Sequence, residues 1–112
     1  MLSRTTTVVG TWTLADDPKA PFPNVIDNTA ALVPGYPATP TGQAANFRAI
    51  QDSVASAPGG RGIGTVYWEP AWTAVPGAGW DPTDPTSGNA WENQAVFDWS
   101  GHPLPAVMNF AP

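Results

Sequence analysis

The 112-residue chain has no cysteine, which excludes disulfides, thiolate nucleophiles and thiolate-bound metals. It has little charge. Only 12% of residues are Asp, Glu, Lys or Arg, and the basic ones are Arg4, Lys19, Arg48 and Arg61. A nucleic acid or an anionic membrane surface needs clustered Lys and Arg to neutralise its phosphates; these four are scattered through a chain of net charge −5. Neither partner is expected. No apolar run approaches the roughly 20 residues of a membrane-spanning helix. Met1-Leu2-Ser3-Arg4 carries one basic residue without an apolar stretch behind it, so no secretory signal is read in this chain. The lone histidine, His102, lies between Gly101 and Pro103 and reads as an exposed turn residue. No Ser-His-Asp set, phosphate loop or zinc spacing is present.

Pro, Gly and Trp are what the chain has in quantity. The counts of 14 Pro and 11 Gly imply long stretches without regular hydrogen-bond ladders. Yet 42% of residues are hydrophobic and 6 are Trp, a composition unlike that of a disordered chain. Folded material with long, aromatic-bearing loops is the consistent reading. Such loops suit a neutral, ring-shaped ligand.

Thr5 to Val9 is a β-branched run that predicts a short strand. From Asp16 to Pro40 the prolines interrupt any period, which predicts loop. Thr39 suits a helix N-cap and Pro40 the first helical position, whose N–H would be unpaired in any case. Phe47, Ile50 and Val54 follow at helical spacing, with Ala44 and Ala57 extending the stripe and Asn46, Arg48 and Asp52 falling largely elsewhere. Pro58-Gly59-Gly60 stops this helix of about four turns. Ile63 to Trp68 is apolar almost throughout, which predicts a strand buried on both faces. A second long loop runs to about Ala90, and Leu104 to Phe110 suggests a final helical turn. Strand, helix and strand in this order form a right-handed βαβ unit, too small a piece of sheet to be finished. An α/β protein with a larger sheet is implied.

Loops at the C-terminal ends of parallel strands are where α/β barrels place their active sites. Here those loops carry Trp68, Glu69, Trp72, Trp80, Trp91 and Glu92. Indole faces stack on pyranose rings while carboxylates hold hydroxyls or move protons, which describes a sugar groove; the same residues would also plug a barrel mouth. Glu69 and Glu92 could be a glycosidase carboxylate pair, or simply the glutamates any chain of this size supplies. Asp16 and Asp17, and Asp81 with Asp84, Ser87 and Asn89, are oxygen-rich clusters of the sort calcium accepts, though Asp-Pro and Ser-Gly steps are also ordinary turn chemistry.

Gly64-Thr65-Val66-Tyr67-Trp68-Glu69-Pro70-Ala71-Trp72, followed by Trp91-Glu92-Asn93-Gln94-Ala95-Val96-Phe97-Asp98, resembles family 53 of the glycoside hydrolases, the arabinogalactan endo-β-1,4-galactanases. Pro34-Gly35-Tyr36-Pro37 and Thr39-Pro40-Thr41-Gly42-Gln43-Ala44-Ala45 are similar to that family too, and the resemblance runs from about Thr5 to Phe110. It implies a (β/α)8 barrel that hydrolyses β-1,4-galactosidic bonds in type I arabinogalactan with retention, using two catalytic glutamates. On this mapping residues 1–112 are one partial catalytic domain with no second domain. They form the C-terminal quarter of the barrel: Thr5–Val9 as strand seven, Phe47–Val54 within the following helix, and Gly64–Trp68 as strand eight.

The resemblance also implies site residues. Trp68 matches the strand-eight tryptophan that floors the sugar site, Glu69 stands beside it, and Trp72 and Trp91 match loop positions near the cleft. Gly10 stands where the strand-seven nucleophile is expected, and the acid/base strand has no counterpart in the chain. The fragment is therefore expected to be inactive alone; a non-catalytic carbohydrate-binding piece is the alternative. Bacterial members hold calcium near the loop after strand seven, a pattern that Asp16, Asp17 and Asn24 match in part. The parent enzyme is expected to be secreted, with plant cell-wall galactan or galacto-oligosaccharides as partners. Self-association through exposed strand edges is expected of so incomplete a sheet.

Overall fold

Pro40 to Ala55 folds as an α-helix, α1, for the local reasons its sequence announces. In the computed structural model, which describes residues 10–20 and 22–111, Thr39 is extended and its Oγ1 accepts from the Gly42 amide at 3.0 Å. Pro40 occupies the first turn, where no donor is missed. Helical geometry gives out at Ser56, and the left-handed Gly59 (φ 73) turns the chain away.

The face that α1 buries differs from the predicted one. Its buried residues are Gly42, Gln43, Asn46 and Phe47, while Ile50 and Val54 are only half-buried. Gln43 and Asn46 therefore lie on the inward face, and Asn46 corrects the expectation that it would fall elsewhere. For Gln43 the reason is visible: its Nε2 meets the Ala95 carbonyl of an irregular segment, which an amide can satisfy and an aliphatic side chain cannot; Asn46 Nδ2 meets no such partner among the described residues. On the outer face Arg48 and Asp52 pair at 3.2 Å, one turn apart and both exposed.

Phe47, Tyr67, Val96 and Ala106 form the core, with Ala44, Phe97 and Val107 packed around them. Phe47 meets Tyr67 edge to face at 5.0 Å between ring centroids and Phe110 at 5.1 Å. Residues Pro105–Phe110 form the anticipated final turn, of 3-10 type, and dock on α1. Two amides lock the contact. Asn109 Nδ2 donates to the Ala44 carbonyl at 2.8 Å, and Gln51 Nε2 donates to the Asn109 carbonyl at 2.8 Å.

The predicted strand over Ile63–Trp68 is not formed among the described residues. The segment is extended but has no ladder, and Ile63 and Val66 are 91% and 92% exposed instead of buried on both faces. Only Tyr67 turns inward. A parallel strand gains its burial and its backbone partners from neighbours on each side, and the described residues supply neither. The other predicted strand, Thr5–Val9, lies outside the described residues, so no βαβ unit is seen among them. The long loops hold only short 3-10 turns, at Thr29–Ala31, Pro58–Gly60 and Asn89–Gln94.

Candidate functional site

Asn89–Gln94 gathers the loops. This single 3-10 segment is hydrogen-bonded to the N-terminal loop, to Gln43 of α1, to Tyr67 and to the Ala74–Val75 backbone. Asn93, fully buried, donates from Nδ2 to the carbonyls of Thr13 (2.9 Å) and Ile26 (2.8 Å). Its own carbonyl accepts from the Trp12 amide at 3.0 Å and from Thr11 Oγ1 at 2.7 Å. The Gln94 carbonyl accepts from Tyr67 Oη at 2.7 Å. Gln43 Nε2 reaches across from α1 to the Ala95 carbonyl at 2.8 Å. Burial raises the Tyr67 phenol well above its ordinary range, partly countered by a side-chain hydrogen bond to Gln43; it stays protonated and donates.

The same segment holds the loop that carries Trp72. Glu92 Oε2 accepts from the Ala74 amide at 3.0 Å, and Asn89 Oδ1 accepts from the Val75 amide at 3.2 Å. The Val96 amide donates to the Pro70 carbonyl at 2.8 Å. At the start of this loop Glu69 takes φ 52, a left-handed conformation uncommon for a residue other than glycine. Gly88, at φ 77, leaves room that a Cβ would remove: it would run into Trp80 and lie 3.2 Å from Trp72 Cη2.

Beneath Trp72 lies a cavity of about 310 Å³, lined by Asp17, Trp72, Thr73, Glu92, Asp98 and Trp99 among others. Its second lining indole, Trp99, is packed against Trp12 at 4.9 Å between ring centroids. Indole Nε1 of Trp72 and of Trp99, and Oε1 of Glu92, are buried without a protein partner among the described residues. Two tryptophans and three carboxylates, Asp17, Glu92 and Asp98, thus share one cavity. Burial pushes the Glu92 carboxyl above the ordinary glutamate value. The Ala74 amide pulls it back, and the Asp17 and Asp16 charges push it up again.

The sequence-predicted site residues do not all come together. Trp72 lines the cavity. Trp68 and Trp91, 79% and 43% exposed, stand outside it, as does the exposed Glu69. Glu69 and Glu92 are thus on opposite terms with solvent, one exposed and one 3% exposed. Asp16, Asp17 and Asn24, the candidate calcium ligands, are partly engaged in loop hydrogen bonds. Asp16 Oδ1 accepts from both the amide and Nδ2 of Asn24, at 3.0 and 2.9 Å, and Asp17 Oδ1 accepts from the Lys19 amide at 2.8 Å. Asn24 Oδ1 is buried without a protein partner, and no cluster of three or more His, Asp or Glu side chains is arranged for a metal among the described residues. Asp81 and Asp84 do turn chemistry: each carboxylate accepts from the amide and hydroxyl of the threonine two residues on.

Gly10 is half-buried against α1. A Cβ built there would lie 2.9 Å from Asn46 Nδ2 and 3.4 Å from Gln43 Cα, so the direction a side chain would take is into the helix.

The profile of Glycosyl hydrolase family 53 matches residues 6–110, almost the whole chain. The chain belongs to that family. It is 37% identical over 101 residues to the endo-beta-1,4-galactanase of Bacillus subtilis (strain 168), covering 67% of this chain and 23% of that protein. It is 35% identical over 101 residues to the arabinogalactan endo-beta-1,4-galactanase of Cellvibrio japonicus (strain Ueda107), covering 88% of this chain and 24% of that one. The family 53 chain thus spans less than a quarter of these relatives' length. No solved structure matches it significantly. No helix among the described residues is long and apolar enough to cross a membrane.

Gln43 and Asn93, which tie α1 and the N-terminal loop to the chain around Asn89–Ala95, were not among the predicted site residues. A signal for Gln43 exists in its spacing: it stands four residues before Phe47, on the apolar stripe. Asn93 sits two residues before the apolar run Ala95–Phe97, where a polar residue beside core-forming sequence calls for a buried hydrogen-bonding role.

Proposed function

We propose that this chain is the C-terminal quarter of a secreted, galactan-cleaving (β/α)8 barrel, with Gly64–Trp68 in the role of strand eight. Its part in the reaction is to hold sugar. The observation that carries this reading is the joining of Trp72 and Trp99 with Asp17, Glu92 and Asp98 around one cavity, in a chain whose family cleaves galactan. Indole faces take the apolar side of a pyranose, and carboxylates take its hydroxyls. Trp68, Glu69 and Trp91 extend the contact surface outside the cavity.

Hydrolysis with retention needs a nucleophilic carboxylate and an acid/base carboxylate about 5 Å apart. Gly10 carries neither, and no residue of the chain matches the acid/base glutamate. The 112 residues by themselves therefore bind β-1,4-galacto-oligosaccharides without cleaving them. The substrate, in this reading, is the galactan backbone of type I arabinogalactan. Two assays on the purified chain test it: tryptophan fluorescence titrated with galacto-oligosaccharides, and reducing-end release from β-1,4-galactan. Saturable binding with no release is expected. Release of reducing ends would overturn the assignment of Gly10, and absence of binding would overturn the sugar-holding role.

A further inference from the structure

Glu92 is a costly residue to bury. It is 3% exposed, its Oε1 has no partner among the described residues, and the charged groups facing it are acidic: Asp16 and Asp17 on the N-terminal loop and Asp98 across the cavity. A buried carboxylate with acidic neighbours needs a compensating role. Its engaged oxygen identifies that role. Oε2 takes the Ala74 amide at 3.0 Å, two residues beyond Trp72, where no other protein acceptor meets that amide among the described residues. Asn89 holds the next amide, and Val96 holds the Pro70 carbonyl on the near side. The Trp72 loop is thus held on one side at Pro70 by Val96 and on the other at Ala74 and Val75 by the 3-10 segment.

We infer that Glu92 is a positioning residue: through the Ala74 amide its carboxylate fixes the Trp72 loop, and so sets the face on which a sugar ring stacks. It does not donate or accept the reaction's proton. An aromatic platform held in place beforehand strengthens binding, because a mobile ring must be ordered each time a ligand arrives. The inference rests on the reading of the cavity as a sugar site, but the hold on Trp72 has its own spectroscopic readout.

The experiment compares Glu92→Gln, Glu92→Ala and Trp72→Phe in the full chain. Near-ultraviolet circular dichroism of the sugar-free protein isolates the Trp72 band as the part lost in Trp72→Phe. Far-ultraviolet spectra confirm that each variant remains folded. Gln keeps an oxygen for the Ala74 amide, so Glu92→Gln retains the band and binds galacto-oligosaccharides within about threefold of the parent chain. Glu92→Ala loses the band, exchanges the Ala74 and Val75 amides faster, and binds at least tenfold more weakly. Glu92→Ala with an unchanged Trp72 band overturns the inference, as does Glu92→Gln behaving like Glu92→Ala. Unfolding of Glu92→Ala leaves the Gln variant to decide, through its band and exchange rates. If no chain binds sugar but the band follows the acceptor at position 92, the sugar reading fails while the positioning role stands.

Discussion

The Asn93 side-chain amide donates to the Ile26 carbonyl at 2.8 Å, joining positions 67 apart inside the protein. The same nitrogen serves Thr13 at 2.9 Å, and the Asn93 backbone carbonyl serves Trp12 and Thr11. One residue thus supplies most of what ties the N-terminal loop to the rest. Asn93→Leu strands the buried Ile26 carbonyl and leaves the Thr13 carbonyl only its bond from Thr11 Oγ1. The expected loss is about 2 kcal/mol, from roughly 1–3 kcal/mol per unsatisfied buried group. Urea unfolding followed by circular dichroism measures it. A loss under about 1 kcal/mol would mean the loop carbonyls find water instead.

Restoring a carboxylate at position 10 is the obvious repair, and it is expected to fail. A Cβ on Gly10 points at Asn46 and Gln43 of α1, not toward the Trp72 cavity. Gly10→Glu should release no reducing ends from galactan and should destabilise the chain by about 1–3 kcal/mol through overpacking. Activity from this single change would show that the chain near Gly10 relaxes into a different register.

Ile63, Val66 and Trp68 are 91%, 92% and 79% exposed along one extended, unpaired segment. Exposed extended backbone with apolar side chains is a template for edge pairing. The chain should therefore associate at micromolar concentration. Ile63→Lys combined with Val66→Lys should shift it toward monomer in sedimentation velocity while changing stability by no more than about 0.5 kcal/mol. Unchanged association would place the contact elsewhere.

The pH dependence of stability has two regimes of opposite sign. Glu92 has its carboxyl raised in the folded state by burial, so between its unfolded value near 4.5 and its higher folded value the native state binds the extra proton. Stability therefore falls as pH rises through that window. Asp81, Asp84 and Asp98 are lowered, the first two chiefly by threonine hydroxyls and Asp98 chiefly by the His102 amide. Their contribution is present above the ordinary value of 3.8 and is lost as pH falls through their folded values. Thermal midpoints from pH 3 to 8 should pass through a maximum in the mildly acidic range, and Glu92→Gln should flatten the high-pH slope. A slope unchanged by Glu92→Gln would assign the effect to another group.

How much of this was legible beforehand differs by element. The ends of α1 were legible, because a Thr39 cap, Pro40 and a glycine stop act within a few residues of chain; its buried face, with Gln43 and Asn46 inward, was not. So were the final turn over Pro105–Phe110 and the turn character of Asp81, Asp84 and His102, all local hydrogen-bond chemistry. The family, too, was carried by two contiguous blocks around Trp68 and Trp91. Ile63–Trp68 differs from expectation in both pairing and burial: apolar content predicts a buried strand, but both depend on neighbours that the segment's own residues do not specify.

Sequence by itself determined which residue types were present, where α1 begins and ends, and that no carboxylate stands at Gly10. Only the tertiary structure decided which side chains meet. Gln43 lies 52 positions from Ala95, and Asn93 lies 80 from Thr13, yet each pair is closed by a hydrogen bond under 3 Å. The same long-range closure buried Glu92 beneath Trp72 and left Glu69 in solvent, separating two glutamates that the chain presents alike. Local propensity is set by a residue and its near neighbours; the partner of a buried amide or carboxylate is set by chain that returns from far away.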